Sequence, residues 1–461
     1  MESASGAPFP AGGAAKARLY GPLLRIALPL MAGSAVESLY NLGDAWFLGK
    51  LGTDAISAPS VAFSFVFMAI IGGAALSQAG TTLMAQARGA GDDSLVKRYL
   101  NQSAGFLGVV SIVVALAGSL LARPALRLLD TPDSVMVHAL PYLRIVMAGT
   151  PFVFAYFLLQ SSFTAIGKTM VPLFVHLAAV LLNLALDPLL IFGPGPLPAL
   201  GSTGAALATV ISQGVAAAVS LRILMKGRDG LKLERSLLKP RRADWALLLR
   251  IGVPSSIGQG LSALGFTVLQ GVVNGFGPAA IAAFGVGNRL INLFDLPAHG
   301  IANAVTTMVG QSIGSGDEER ARRVVRSGLF LVATFLALPI AASMVWGGSL
   351  VRFFVDDPEA IRLGDLMFKV VGPSVFLFGL FFATTGAFQG AGATKPIMVL
   401  SVARLWVVRL PIAVILARAG VGPLSIWIAM FVSNLVIALA GILYYRSGRW
   451  LRHGVRVYRQ A

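Results

Sequence analysis

Two aspartates, Asp44 and Asp187, lie within long apolar stretches of the chain, where acidic residues are rare. A charged carboxylate in a membrane-spanning helix costs about 2.5–3.5 kcal/mol on insertion scales, so such a residue usually faces a cavity and serves a function. Two carboxylates that lie close together cannot both remain ionised at low cost, and at least one must take up a proton or a neutralising cation. The pair therefore predicts a proton or sodium site.

Polar residues accompany both aspartates. Asn183 precedes Asp187 by four residues and Tyr40 precedes Asp44 by four, so each pair lies on one helical face. With a rise of about 1.5 Å per helical residue, Thr209 falls at the depth of the two acids, toward the outer ends of three apolar stretches. We predict that these five residues form the coupling site. A sodium ion there would use the oxygens of Asp44, Asp187, Asn183 and Thr209, and no other metal site is predicted.

Three further polar residues lie in apolar stretches. Glu37 precedes Asp44 by seven residues on the same face, and it is either a third member of the site or a partner of local polar groups. Gln160 either lines the same cavity or makes an interhelical hydrogen bond. His176 we interpret as a packing residue.

The composition indicates that the chain is a membrane protein and not a water-soluble one. The chain has 461 residues, of which 56% are hydrophobic and only 12% charged, so a water-soluble enzyme is excluded. The 37 Lys and Arg residues outnumber the 20 Asp and Glu residues, but they lie between apolar stretches, as the positive-inside rule requires, and predict no nucleic-acid partner. The absence of Cys excludes disulfides and cysteine nucleophiles, and four scattered His residues predict no metal cluster. We expect no cofactor.

Twelve apolar stretches are long enough to cross a membrane, and we predict an all-α polytopic membrane protein. Segment 226–250 contains eight basic and three acidic residues, and the tail after Tyr445 contains Arg but no acid. Both therefore face the cytoplasm, with both termini, in a cell (inner) membrane. The spans lie near 22–48, 57–80, 103–122, 136–160, 170–192, 203–225, 246–272, 281–307, 327–348, 368–388, 396–417 and 423–445.

The chain contains an internal repeat. Residues 29–98 align with 254–323 at a constant offset of 225, and Gln86-Ala-Arg-Gly-Ala-Gly-Asp recurs as Gln311-Ser-Ile-Gly-Ser-Gly-Asp. Because each half has six spans, the halves form a parallel repeat, which is a transporter architecture with the substrate path between the halves. A duplicated channel is the alternative. The glycine-rich segments lack a preceding strand and a Lys-Ser/Thr, so we interpret them as turns in which Asp92 and Asp317 cap the next helix.

The predicted domain organisation follows the repeat. A disordered N-terminal arm (1–19) precedes a six-helix lobe (20–225), a basic cytoplasmic linker (226–250), a second six-helix lobe (251–445) and a basic cytoplasmic tail (446–461).

The repeat also serves as an internal control for site residues. Asp44 aligns with Leu269 and Asp187 lies opposite Leu410, so the buried acids are expected only in the N-terminal half. Other charged residues of the second half have no assigned role. Arg289 and Asp295 are expected to pair, whereas Arg404 and Arg409 either snorkel to the interface or meet an acid.

Three segments resemble the multidrug and toxic compound extrusion (MATE) family, prokaryotic DinF-like branch: Leu39-Tyr-Asn-Leu-Gly-Asp-Ala-Trp-Phe-Leu-Gly, Leu182-Asn-Leu-Ala-Leu-Asp-Pro and Gly204-Ala-Ala-Leu-Ala-Thr. The resemblance covers about residues 22–445 and implies a twelve-span secondary antiporter that works by alternating access. It also implies residue roles. The cation-site residues match Asp44, Asp187, Asn183, Thr209 and Tyr40, the first-helix bend matches Pro29, and an asparagine of some relatives falls at Gln160.

The resulting hypothesis is an ion-coupled antiporter, not an enzyme, that exports cationic or amphipathic small molecules in exchange for protons or sodium. The added acid Glu37 favours protons. A lipid-linked sugar flippase is the alternative within transport, with Arg289, Arg404 and Arg409 as candidate pyrophosphate ligands. An intramembrane aspartyl protease is a remote alternative, because Leu42-Gly-Asp44 resembles half of its motif while Asp187 lacks the preceding Gly.

Overall fold

The computed structural model describes residues 19–50, 53–193 and 198–453. Most of the predicted N-terminal arm and the end of the predicted tail lie outside these residues. The elements are α1 (Tyr20–Gly49), α2 (Thr53–Gly89), α3 (Asp93–Leu128), α4 (Asp133–Ala148), α5 (Thr150–Ala165), α6 (Met170–Phe192), α7 (Gly201–Lys226), α8 (Arg242–Asn274), α9 (Pro278–Gly314), α10 (Glu318–Arg352), α11 (Pro358–Gly390), α12 (Thr394–Val402), a π-helical segment (Ala403–Arg409), α13 (Leu410–Arg418), α14 (Leu424–Arg446) and α15 (Arg449–His453).

Eleven helical segments of the described chain are long and apolar enough to cross a membrane, and the bent pair α4–α5 makes twelve if it counts as one span. The two members of that pair meet at Gly149 with a bend of 41°. The predicted all-α polytopic fold is thus confirmed over the described residues, with eleven spans, or the predicted twelve when α4–α5 is counted as one. Several helices extend beyond the predicted apolar stretches: α2, for example, continues from about residue 80 to Gly89. Helical hydrogen bonding satisfies the backbone in water as well as in lipid, so polar turns can prolong a span.

The internal repeat is visible in side-chain contacts. The hydroxyl of Thr81 in α2 donates to the carbonyl of Ser161 in α5 at 3.4 Å. Its counterpart 225 residues later, Thr306 in α9, donates to the carbonyl of Gly386 in α11 at 3.1 Å. Equivalent residues therefore join equivalent helices in both halves.

The glycine-rich turns between α2 and α3 and between α9 and α10 also match. Gly91 and Gly316 have φ of +76° and +78°, a conformation that favours glycine. Asp92 then accepts a hydrogen bond from the Leu95 amide at 3.0 Å, and Asp317 accepts one from the Arg320 amide at 2.7 Å. Both aspartates are N-caps, so the interpretation of these segments as capped turns is confirmed.

The chain divides into two compact units, one formed by Ala32–Ser256 and the other by Met1–Met31 with Ile257–Ala461. The division falls inside α1 and α8, two residues after Pro29 and two residues after Pro254, at positions that the repeat relates by its offset of 225. The compact units therefore do not follow the repeat alone, because the beginning of each repeat's first helix belongs to the unit formed by the other repeat.

The beginning of α1 is held tightly within the second of these units. Leu23, Ile26 and Ala27 are buried in the same core cluster as the helices after residue 257. A Cβ added at Gly300 would lie 2.4 Å from Cγ of Met31 and 3.1 Å from the carbonyl oxygen of Ala27, so this contact requires glycine.

The segment between α7 and α8 is bound to α3 by side-chain hydrogen bonds. Asn101 Nδ2 donates to the Lys232 carbonyl at 3.0 Å, and Gln102 Nε2 donates to the Leu237 carbonyl at 2.6 Å. Arg98 forms a two-point ion pair with the buried carboxylate of Asp244 at the start of α8 (2.7 and 2.8 Å). The basic linker predicted at 226–250 is therefore an ordered strap along α3 followed by the first two turns of α8.

Candidate functional site

Asp187 and Asn183 lie one turn apart on α6, and both are buried, with 0% and 2% of their surfaces exposed. In the amide orientation that satisfies both of its polar atoms, Asn183 accepts from the backbone amide of Thr209 (3.2 Å) and donates to Oδ2 of Asp187 at 3.0 Å. Asn183 thus connects the carboxylate on α6 to the backbone of α7. Pro188 directly follows Asp187 and has no N–H, so α6 lacks one backbone hydrogen bond beside the carboxylate.

Tyr40 and Thr209 extend these contacts toward the surface of the unit. The Tyr40 hydroxyl on α1 lies 3.0 Å from Oγ1 of Thr209 on α7, in a part-buried position. A series of polar contacts therefore runs from Tyr40 through Thr209 and Asn183 to the fully buried Asp187. Four of the five residues predicted for the coupling site are adjacent in the structure, on three different helices.

Asp44 is the fifth predicted residue. It belongs to α1, four residues after Tyr40, so the helical register puts both residues on one face. The side chain of Asp44 lies outside the described part of the structure. Its proximity to Asp187 therefore stays a prediction.

Glu37 has a partner that sequence reasoning did not identify. Its Oε2 lies 2.9 Å from Nε2 of His176 on α6, and the His176 ring stacks on Tyr156 with centroids 5.4 Å apart. The sequence offered one indication of this pair: an acid and a histidine, each isolated on an apolar helix, need a partner when they are removed from water. His176 is thus more than the packing residue that we expected.

A small cavity links this ion pair to the polar series. Its volume is about 10 Å³, room for about one water molecule, and its lining includes Glu37, Tyr40, His176 and Asn183. Glu37 is therefore both a partner of His176 and a neighbour of the candidate site. Gln160 is half-buried on α5 and is not among the residues that line this cavity. Pro29 lies inside a continuous α1, two residues before the division between the compact units.

Two expectations about the second half are wrong. Asp295 on α9 has only 8% of its surface exposed, so buried acids are not confined to the N-terminal half. Arg289, expected to pair with it, is exposed and forms no ion pair with Asp295 in the described chain. The two residues are six positions apart, which points them to different sides of a helix of 3.6 residues per turn. Position-by-position comparison with the N-terminal acids could not find Asp295, because no N-terminal acid is its counterpart.

Comparison with known proteins identifies the family. The MatE family model matches residues 29–189 and 254–415, one segment in each half. The chain belongs to the MatE family. The resemblance inferred from the residue motifs is thereby confirmed, and so is a multi-pass membrane protein.

Relatives of this MatE protein match it along nearly its full length. It is 31% identical to a probable multidrug resistance protein, YpnP, of Bacillus subtilis, over 93% of this chain and 95% of the relative. It is 27% identical to the probable multidrug resistance protein NorM of Thermotoga maritima, over 94% and 93%. A solved outward-facing multidrug resistance MATE transporter has the same fold, with a TM-score of 0.87, 22% identity, and coverage of 94% of this chain and 96% of that one.

Proposed function

We propose that this MatE protein is a secondary antiporter that exports cationic or amphipathic compounds in exchange for protons. The observation that carries the proposal is the series of contacts from part-exposed Tyr40 to fully buried Asp187. A carboxylate at the buried end of a polar path can receive an ion there. The names of the relatives as multidrug resistance proteins support the substrate class.

In the proposed cycle, a proton enters from outside the cell and neutralises Asp187, with Asp44 as the second acid. The ionised carboxylate accepts a hydrogen bond from Asn183, and this bond stabilises the ionised form more than the protonated form. Protonation of Asp187 therefore weakens the contact through which Asn183 connects α6 to α7. A bound ion can shift a conformational equilibrium only if it interacts differently with the two conformations, and this contact provides that difference. The neutral form favours release of the substrate.

The acids around the site support protons over sodium. A sodium ion needs several oxygen ligands held together, whereas a proton needs only a carboxylate. Glu37 lines the same small cavity as Tyr40 and Asn183, so it adds a further carboxylate beside the candidate site.

Purified protein in liposomes would test the coupling ion. With a proton gradient imposed in sodium-free buffer, export of a cationic dye such as ethidium should proceed and should collapse when a protonophore is added. Export driven by a sodium gradient at equal pH on both sides, and absent with the proton gradient alone, would make the same residues sodium ligands and refute the proposal.

The membrane location follows from charge. We propose an inner-membrane protein with both termini and the 226–250 segment in the cytoplasm, because these parts of the chain are basic. The flippase alternative needed Arg289, Arg404 and Arg409 in one basic cavity. Because Arg289 is exposed, the flippase is the less favoured of the two functions.

A further inference from the structure

Two arginines are buried in the second compact unit, on the π-helical segment between α12 and α13. Arg404 has 7% and Arg409 has 1% of its surface exposed. In an α-helix, residues five apart point about 140° away from each other. The wider turn that the i→i+5 hydrogen bonds of a π-helix produce brings them toward the same side, and such segments are frequent at functional sites. Both guanidinium groups accordingly lie near the ring of Phe266, at 5.8 and 5.6 Å from its centroid.

Neutral groups surround Arg409. Its Nε donates to Oγ of Ser433 at 2.9 Å, and its terminal nitrogen donates to Oδ1 of Asn434 at 2.7 Å. Asn434 is held in turn by Ser374 on α11. These contacts fix the orientation of the guanidinium group, and no acid among the described residues forms an ion pair with it.

Arg404 packs against an aromatic ring instead. Its guanidinium carbon lies 4.0 Å from the centre of the Phe378 ring, and its Nε has no hydrogen-bond partner in the described structure. Asp295 interacts with it electrostatically. Yet Oδ1 of Asp295 is itself buried without a partner, and the described ion pairs join Asp295 to neither arginine.

The cluster therefore holds two buried guanidinium groups and one nearby carboxyl group, and none of the ion pairs among the described residues includes any of the three. Buried charge of this kind is costly unless it is paired. A guanidinium group matches the two oxygens of a carboxylate or the edge of a phosphate, and it also stacks on aromatic faces.

We propose that Arg404 and Arg409 bind the carboxylate or phosphate of an amphipathic molecule. Its apolar body would lie on an aromatic row formed by Phe378, Phe382 and His299, whose rings contact one another in sequence (4.8 and 4.1 Å between centroids). Phe266, whose ring lies near both guanidinium groups, is 38% exposed, so the cluster adjoins the surface of the unit. The role of this site in transport rests on the proposed export function, whereas binding itself does not.

Two flavins form a matched pair of probes, because flavin mononucleotide is riboflavin with one added phosphate. Binding to the purified protein in detergent can be followed by flavin fluorescence anisotropy. Flavin mononucleotide should bind about tenfold or more tightly than riboflavin, since charge-assisted hydrogen bonds distinguish them. Arg404→Gln should abolish that difference and Arg404→Lys should restore part of it. The exposed Arg289→Gln is the control and should leave it unchanged.

Equal binding of the two flavins to the wild-type protein would overturn the proposal, and so would an Arg404→Gln variant that keeps the preference. Loss of riboflavin binding together with flavin mononucleotide binding would also count against an anion site. Asp187→Asn should keep the flavin preference while losing dye export, which separates this proposal from the function proposed above.

The anion could belong to a lipid instead of a soluble compound. Phosphatidylglycerol, compared with phosphatidylcholine in nanodiscs, should then raise the melting temperature of the wild-type protein and not that of Arg404→Gln. That result would assign the same chemistry to a lipid headgroup. No effect of either lipid, with the flavin preference intact, would assign it to a soluble substrate.

Discussion

The amide nitrogen of Asn183 donates a hydrogen bond to Oδ2 of Asp187 across one turn of α6, at 3.0 Å. Asn183 also accepts a hydrogen bond from the Thr209 amide. A change in the ionisation of Asp187 therefore affects a contact that reaches α7. Asp187→Asn should therefore insert and fold normally but reduce dye export from liposomes to the level of empty vesicles. An amide side chain neither gains nor loses a proton near neutral pH, so it cannot couple transport to a proton gradient.

The matched control is Asp356→Asn, which removes an exposed acid between α10 and α11. It should export at the wild-type rate. Asp44→Asn should behave like Asp187→Asn if the two acids share one site. Wild-type export by the Asp187→Asn variant would remove this residue from the mechanism.

The hydroxyl contact between Tyr40 and Thr209 can be measured by a double-mutant cycle. Tyr40→Phe and Thr209→Val each remove one partner with little change of shape, and the pair lies 3.0 Å apart. Hydrogen bonds between membrane helices average about 0.6 kcal/mol and reach about 1.7, so the free energies of unfolding should be non-additive by about that amount. Unfolding titrations in mixed detergent micelles provide the measurement. Additive effects of the two substitutions would mean that the contact contributes nothing to stability.

Periodicity and the internal repeat predicted the spans, the capped turns and four adjacent site residues, because each depends on spacing along the chain. Asn183 and Asp187, for instance, are one helical turn apart whatever the packing. The strap on α3 could not be predicted, since Gln102 binds backbone carbonyls, which every residue possesses. The π-helical placement of Arg404 and Arg409 was equally hidden. Residues five apart read as members of different faces until the hydrogen-bond pattern of the helix is known.

The N-cap of α3 gives a prediction that depends on pH. The Ser94 hydroxyl and the Leu95 amide donate to Asp92 and lower the pKa of its carboxyl below its usual value of 3.8. Replacing an N-cap aspartate by alanine costs about 0.5–2 kcal/mol, so Asp92→Ala should lower the melting temperature. Because the pKa is lower in the folded state than in the unfolded state, the stabilisation is fully present at pH values above 3.8. It is lost as the pH falls through the lowered pKa.

The melting temperatures of wild type and Asp92→Ala should therefore differ by a constant amount at neutral pH and converge under acid conditions. Asp317→Ala tests the equivalent cap of α10, where the Arg320 amide is the donor. It should also lower the melting temperature at neutral pH. A difference for Asp92→Ala that grows as the pH falls would contradict the assigned cap.

The orientation in the membrane can be tested with single cysteines, because the chain contains none of its own. Ser236 in the strap and Ser447 after α14 are both exposed, and we place both in the cytoplasm. Cysteine at either position should resist a membrane-impermeant maleimide in intact cells and react after the membrane is made permeable. Asp356 lies at the opposite end of α10 from Asp317, which adjoins the cytoplasmic turn in this topology, so Asp356→Cys should react from outside without permeabilisation. Labelling of Ser236→Cys or Ser447→Cys in intact cells would mean that the basic segments face outward, and the proposed direction of proton entry at Asp187 would then be reversed.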